Sequence, residues 1–361
     1  MLLAVTAGQA SAAGTAAGTT VSNQATVSYQ VSGVSQTPVN SNTYQFVVDR
    51  KINLTVATDN GAAVAVVPGT SGNVLAFTVQ NTGNGTQDFA PSALARTGGT
   101  GAFGGTDNVN AAGTAVFVES GATVGYQVGE DTAIYKDELA ADGTAKIYIV
   151  GDFSSGAYAD SNIASYHLLV AARVGGTAAT LGGALTETSG ADTPGTVDIV
   201  FADGQGSATS NDAARDANFS DDSDYEITAG NLSVTKTSAV ISDPTNSTTN
   251  PKAIPGAIIE YTITIANGAS ASAVTNVSFT DSLNAEITAG TIAFQTNGYS
   301  AGKGIQVTSP NINGGVAKEL TNAGSDDEGD WNVTGTNTMT VTGIQLNASQ
   351  TATLKFRVQV Q

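Results

Sequence analysis

The sequence predicts an all-β protein built of β-sandwich modules in tandem. Three observations carry that expectation: side chains alternate with period two along most of the chain, one set of motifs occurs twice with constant spacing, and helix formers are scarce. Charged residues make up 12% of the 361 positions and 42 are Gly, with Thr, Ser, Ala, Asn and Val abundant, a composition that disfavours helices and suits half-buried strands. A chain of this length holds two or three domains, and 40% hydrophobic residues is enough for packed cores.

Asp and Glu outnumber Lys and Arg by 31 to 13, a formal charge of -18. The resulting field repels nucleic acid and anionic lipid, so neither is expected as a partner, and cations are favoured. The absence of Cys excludes disulfides, thiolate zinc sites and cysteine nucleophiles together.

Taken in chain order, residues 1–12 read as the remnant of a secretion signal, a short apolar run followed by the small residues Ala10, Ser11 and Ala12. The protein is therefore expected outside the cell, extracellular or on the cell surface. No later stretch has the length and apolarity of a membrane span, so no membrane insertion is expected.

Residues 13–51 contain "TVSNQATVSYQV" and "NTYQFVVD", two runs expected to form a hairpin. Val21, Ala25, Val27, Tyr29 and Val31 share one face of its first arm, and an isolated strand pair exposes ladder groups that want covering. This makes the segment a candidate donor: it would complete a module of a neighbouring subunit by β-strand addition and give a head-to-tail polymer. The alternative is that the hairpin packs on the module that follows it.

The repeat defines two modules, expected at 52–230 and 231–361. Leu54, Thr55 and Val56 correspond to Leu232, Ser233 and Val234, each an opening strand. Val67, Pro68 and Gly69 precede "VLAFTVQN" as Ile254, Pro255 and Gly256 precede "IIEYTITIAN". Pro presets the backbone and Gly allows a positive φ where a loop turns into a central strand. Leu139, Ala141, Thr144, Ala145 and Ile147 return with the same spacing as Leu346, Ala348, Thr351, Ala352 and Leu354, a turn into the closing strand with Leu plugging the sandwich end. Strands spaced by turn residues in this manner suit immunoglobulin-like sandwiches, not βαβ units. Module one is longer by the Gly-rich run at 98–105 and by the segment 176–230, which adds at least the strand "TVDIVF".

The motifs of module two, "LSVTKT", the Pro-Gly turn, "IIEYTITIAN", Asp281-x-Leu283 and "LNASQTATLKFRVQV", resemble those of the immunoglobulin-like repeat of prokaryotic surface proteins known as domain of unknown function eleven. Asn284 stands where that family usually has Pro. The resemblance covers nearly all of module two and, more faintly, residues 54–150. It implies an exported protein whose modules act as stalk, sheath or adhesive architecture, with no shared catalytic residues.

Candidate chemistry is sparse. Two acidic runs offer hard oxygen donors one or two residues apart: Asp221, Asp222 and Asp224, flanked by Asp216 and Glu226, and Asp326, Asp327 and Asp330, with Glu328 between them. Each is a candidate calcium site, a solvated acidic loop being the alternative. Lys236 lies in an opening strand where some surface immunoglobulin-like folds form a lysine isopeptide bond, with Glu260 as a candidate assisting carboxylate; an exposed lysine is the simpler reading. His167 is the single histidine, which excludes a histidine metal cluster and reduces any triad to a Ser, this His and an unassigned acid. The runs "GGTGAFGG" and "GQGSATSN" lack the setting and the Lys of a phosphate loop. Asn53, Asn84, Asn218, Asn246, Asn276 and Asn332 head sequons that a chain rich in Asn, Ser and Thr generates by chance.

The expectation is thus a non-enzymatic structural subunit of an extracellular filament, sheath or surface layer, self-associating into a polymer. The alternative is a cell-surface adhesin or carbohydrate-binding module using loops at the sandwich ends. A secreted hydrolase would require a pocket converging on His167 and several carboxylates.

Overall fold

The computed structural model describes residues 14–361 apart from 157 and 270; the signal-remnant reading of 1–12 lies outside them. The protein is all-β, with tandem immunoglobulin-like sandwiches. Its described residues contain one helix of five residues, α1 (Asn284–Thr288), and a 3-10 turn at Asn313–Gly315. Among the described residues no helix is long and apolar enough to cross a membrane. The chain divides into two compact units, the first ending at Glu226 and the second beginning at Ile227, with Tyr158–Ser161 grouped with the second.

Unit 1 starts with a long hairpin. One arm carries β1 (Thr20–Asn23), β2 (Thr26–Val27) and β3 (Gln30–Val31), the other β4 (Val34–Ser35), β5 (Val39–Asn40) and β6 (Tyr44–Val47), and they pair β1 with β6, β2 with β5 and β3 with β4. Ser32 and Gly33 at the tip both have positive φ, 52° and 82°. A two-residue loop of that kind matches the twist of the arms it joins.

After β7 (Arg50–Ile52) the sandwich of unit 1 follows. It comprises β8 (Leu54–Thr58), β9 (Val64–Val66), β10 (Asn73–Asn81), β11 (Gln87–Ala95), β12 (Gly113–Val118), β13 (Lys136–Leu139), β14 (Thr144–Asp152), β15 (Ile163–Val174), β16 (Ile199–Phe201) and β17 (Asn218–Ile227). One sheet has the order β12-β14-β10-β8 and the other β13-β11-β15-β17-β9, while β16 pairs in parallel with β7. Period-two alternation turns Leu75, Phe77, Val79, Ile147 and Ile149 of the first sheet toward Phe89, Tyr166, Leu168, Val170 and Tyr225 of the second, all buried. The Tyr225 hydroxyl donates to the Ile149 carbonyl at 2.8 Å, and burial pushes its pKa well above the usual phenol value.

β17 departs from expectation. Its sequence, "NFSDDSDYEI", reads as an acidic loop because Asp has low strand propensity. In the structure Ser223, Tyr225 and Asp221 face inward and Ser220, Asp222 and Asp224 outward, in register with β15. Tertiary partners for the carboxylates override the propensity, as described below.

Unit 2 comprises β18 (Leu232–Ser242), β19 (Ile258–Asn267), β20 (Val274–Ser282), β21 (Ile292–Phe294), β22 (Ile305–Thr308), β23 (Lys318–Leu320), β24 (Gly329–Trp331), β25 (Thr338–Leu346) and β26 (Thr351–Val360). One sheet has the order β18-β19-β26-β22-β23, with β21 also on β26, and the other β20-β25-β24. Ile263, Ile265, Leu354 and Phe356 meet Met339, Val341, Ile344 and Leu346 in the core. Trp331 stacks on Phe294 with ring centroids 3.8 Å apart.

The repeat is visible in the pairing. Leu54 lies opposite Asn81 as Leu232 lies opposite Asn267, and Val79 opposite Ala145 as Ile265 opposite Ala352. Both closing leucines, Leu139 and Leu346, are buried. Each is held by an asparagine at the end of the central strand: Asn81 Nδ2 donates to the Leu139 carbonyl at 2.9 Å, and Asn267 Nδ2 to the Leu346 carbonyl at 3.2 Å.

Candidate functional site

The base of the hairpin is tied to unit 1 by the buried residues Asn84 and Asp198, the latter donating its N–H to Asp49 Oδ1 at 2.9 Å and accepting at its carbonyl from Arg50 N–H at 2.8 Å. Asn84 Nδ2 donates to the carbonyls of Thr15 (3.2 Å) and Asp49 (2.8 Å), its Oδ1 accepts from Lys51 N–H (2.8 Å), and its carbonyl accepts from Ala17 N–H (3.1 Å). Asn84 is thus structural and contacts both ends of the hairpin.

Beyond that base the arms stand clear of the sandwich. Val21 pairs across with Phe46, Val27 with Val39 and Val31 with Val34, so the apolar side chains collect on one face. The other face carries polar pairs, including Thr26 Oγ1 donating to Asn40 Oδ1 at 2.7 Å and Gln45 Nε2 donating to Ser22 Oγ at 2.9 Å. Val27 and Val39 are 62% and 57% exposed, and Tyr29, Val31, Val34, Tyr44 and Phe46 are exposed with them. Ala25 is exposed and Val21 half-buried. The alternative in which the hairpin packs on its own module is therefore not what the structure shows. Residues 1–48 carry no charged side chain, Asp49 being the first. A two-stranded hairpin with one uncovered apolar face is marginal in water, so this face calls for a cover.

The carboxylates of the two acidic runs expected as calcium ligands are engaged by protein groups. On β17 Asp221 points to the opposite face from Asp222 and Asp224, and each serves its own protein partner. Asp221 accepts from Thr58 N–H at 2.7 Å, and Asp222 forms an ion pair with Arg96. Asp224, fully buried, accepts from Ser165 Oγ at 2.5 Å and from Phe103 N–H at 2.9 Å. Asp224 therefore anchors the Gly-rich run 98–105; a Cβ on Gly101 would lie 2.5 Å from its Oδ2, which is why glycine stands there. Asp216 accepts from Ala213 and Asn218 N–H, and Glu226 is exposed. In the second run Asp327 accepts from Thr321 and Gly329 N–H, both at 2.9 Å, and Asp326 from Thr321 Oγ1 at 2.7 Å. Asp330 takes a long bond from Thr334 Oγ1, and Glu328 pairs with Lys318 at 2.6 Å. These acids shape turns.

Other carboxylates come closer together, and neither set was legible from spacing. The oxygens of Asp88, Asp137 and Glu138, and those of Asp49, Asp192 and Asp198, lie within 4.8 Å of one another. Asp88 is buried and accepts from Glu138 N–H and Gly182 N–H, both at 2.9 Å, while Asp198 accepts from Thr193 N–H. Residues more than 40 positions apart in sequence meet in each set, which is why local spacing did not reveal them.

Lys236 faces the inside of unit 2, opposite Ile263. Its Nζ reaches Asp281 at 2.5 Å and lies 4.6 Å from the centroid of the Tyr261 ring. The "VTK" strand and the Asp-x-Leu motif thus meet through an ion pair. The role considered for Glu260 is corrected: one residue further along the alternation, it points to the other face of the sheet and binds Lys355 and Arg357, both at 3.0 Å. Those cations, through hydrogen bonds from Lys355 and then Arg357, outweigh its desolvation and hold its pKa below the usual range.

A polar cleft of about 280 Å³ opens on the outer face of unit 1, lined by Arg96, Thr97, His167, Ser207, Thr209 and Ser210 among others. His167 Nδ1 is 2.8 Å from Ser207 Oγ. Burial, and next the Arg96 charge, push the His167 pKa below its ordinary value, so the ring is neutral at neutral pH. Ser207 Oγ also lies 3.5 Å from Ser220 Oγ, and Ser220 in turn donates to Asp212. The arrangement offers donors and acceptors to a polar ligand.

No protein-family profile matches the chain, and no curated protein does. Among solved structures it is similar to one described as "BspA_C_mut", with 8% identity and a TM-score of 0.34 over 85% of this chain and 90% of the other. It is also similar to the CupB6 tip adhesin from Pseudomonas aeruginosa, with 11% identity and a TM-score of 0.26 over 85% and 88% of the two chains. A third likeness, covering 98% of this chain and 88% of the other at 8% identity and a TM-score of 0.20, is to a chaperone-tip adhesin complex of CFA/I fimbriae biogenesis.

Proposed function

We propose that this chain is an exported structural subunit of an extracellular filament, sheath or surface layer, and that it works by assembling head-to-tail through its N-terminal hairpin. The observation that carries the reading is the hairpin itself: an uncharged strand pair, firmly tied at its base, whose apolar face stands uncovered. Contact of one surface patch with a different patch on the next copy is heterologous, and such a contact continues without limit unless the rotation closes a ring. The resemblance of module two to a repeat of prokaryotic surface proteins supports the same location. Sizing of the purified full chain over a range of concentrations, with negative-stain microscopy and no added ligand, tests it. Polymers that grow with concentration are expected.

A second reading, a cell-surface adhesin or carbohydrate-binding module, is favoured by the cleft around Arg96, His167 and Ser207. It would be supported by a monomer at every concentration that binds glycans, a result that contradicts the first reading.

A further inference from the structure

Unit 1 contains a feature that unit 2 lacks. The repeat puts β8 in correspondence with β18, β10 with β19 and β14 with β26. It also matches β11 to β20 and β13 to β25, because Gln87 lies opposite Leu139 as Val274 lies opposite Leu346. In unit 1, β11 pairs with β13 on one edge and with β15 on the other, and β17 follows β15 in the sheet. β15 lies across the sandwich from β8, where Leu54 and Val56 are 0% and 4% exposed.

In unit 2, β20 pairs with β25 alone among the described residues, and no strand stands in the places of β15 and β17. Leu232 and Val234 occupy the inward positions of Leu54 and Val56, opposite Asn267 and Ile265, yet they are 41% and 57% exposed. An unpaired strand edge beside an uncovered apolar face is a slot for two strands.

We infer that this slot is filled by the N-terminal hairpin of a second copy, the arm β1–β3 pairing antiparallel with β20 in the place of β15 and the arm β4–β6 taking the place of β17. The inference rests on the self-assembly reading and names its acceptor. The strand count fits, two antiparallel strands for two vacant places. The hand fits as well. In the β15–β17 ladder the inward residues form the hydrogen-bonded pairs, as the Ala172 N–H to Ala217 carbonyl bond shows. In the hairpin the apolar residues occupy the same phase: Val31 and Val34 flank the two-residue turn, and Ser41 N–H bonds the Ala25 carbonyl. For L-residues this phase fixes on which side the second arm stands. With its apolar face turned inward, the hairpin therefore offers β20 an antiparallel strand, as β15 does for β11. The charge fits too, because the insert brings no ion of its own to desolvate and meets no like-charge repulsion on a chain of net charge -18.

The chain has no cysteine, so single cysteines report proximity without background. Ser28→Cys lies on the polar face of the first arm and Thr280→Cys on the exposed outward face of β20; Thr114→Cys, on the edge strand β12 of unit 1, serves as the control. Full-length singly substituted chains are mixed in pairs and treated with a short bis-maleimide. Covalent dimers are expected from the Ser28→Cys and Thr280→Cys mixture and not from mixtures with Thr114→Cys. Polymers in which Ser28→Cys couples to the Thr114→Cys chain would overturn the acceptor while leaving self-assembly standing. Cross-linking confined to a monomer carrying both Ser28→Cys and Thr280→Cys would mean that the hairpin folds back on its own chain, and would overturn it as well. Absence of any polymer would instead remove the self-assembly reading beneath it.

Discussion

Lysine in place of both Val27 and Val39 is expected to abolish assembly and to leave the thermal unfolding of the chain within about 2 °C of the parent, since exposed substitutions change stability by roughly 0.5 kcal/mol or less. The two valines face each other across the hairpin and are mostly exposed in the single chain, so lysines there keep their hydration. Inside a neighbouring module the same lysines would be buried without partners, at roughly 3 kcal/mol or more each, which weakens association by a factor of about 100 per lysine. Isoleucine at the same positions keeps the apolar face and is expected to assemble. Sizing and negative-stain microscopy read the outcome. Polymers formed equally well by the lysine variant would show that this face is not the contact.

The largest effect on stability is expected from Asn81→Ala in unit 1 and Asn267→Ala in unit 2. Asn81 is fully buried; its Nδ2 donates to the carbonyls of Gly85 and Leu139, both at 2.9 Å, and its Oδ1 accepts from Gly83 N–H at 3.0 Å. Asn267 repeats the arrangement with the carbonyls of Ser272 (2.8 Å) and Leu346 (3.2 Å) and with Asn231 N–H (3.1 Å). Truncation leaves three backbone groups without partners, at roughly 1–3 kcal/mol for each one that stays dry, or about 3–5 kcal/mol in all. At about 2–4 °C per kcal/mol for domains of this size, the loss is roughly 10 °C or more. Calorimetry follows either variant. Trp331, the single tryptophan, belongs to unit 2 and follows Asn267→Ala by its fluorescence. Aspartate keeps the shape but removes the donors and is expected to be no better than alanine. Variants within about 1 kcal/mol of the parent would show that these asparagines do not hold the sandwich ends.

Much of the architecture was legible in the residues. Strands such as 258–265 and 354–360 follow from alternation, because one face of each must be buried. The duplicated spacing of Leu139 with Ala145 and Leu346 with Ala352 located the closing turns before any pairing was known. The hairpin arms were legible from their apolar alternation, and the tip turn suits its Ser-Gly pair.

What was not legible depends on contacts between distant residues. The acids of β17 read as ion ligands because spacing is local, while Thr58, Arg96, Ser165 and Phe103, which bind them, lie 59 to 163 positions away. The same limit hid the meeting of Lys236 with Asp281, 45 residues apart. It also left Glu260 beside Lys236 in sequence reasoning, although alternation puts them on opposite faces. The buried asparagines escaped notice since both merely end an apolar strand, and nothing in a strand pattern marks its last polar residue as a knot. The open edge of β20 becomes visible only when the two units are compared strand by strand.

Hydrogen exchange of the backbone amides in residues 20–47, measured on the full chain at low and at high concentration, probes the cover of the hairpin most directly. Arms that find a neighbour should exchange slowly when concentrated and quickly when dilute, while the core strands β10 and β19 stay protected in both. Fast exchange throughout the hairpin at the highest concentration reached would contradict the assembly described above.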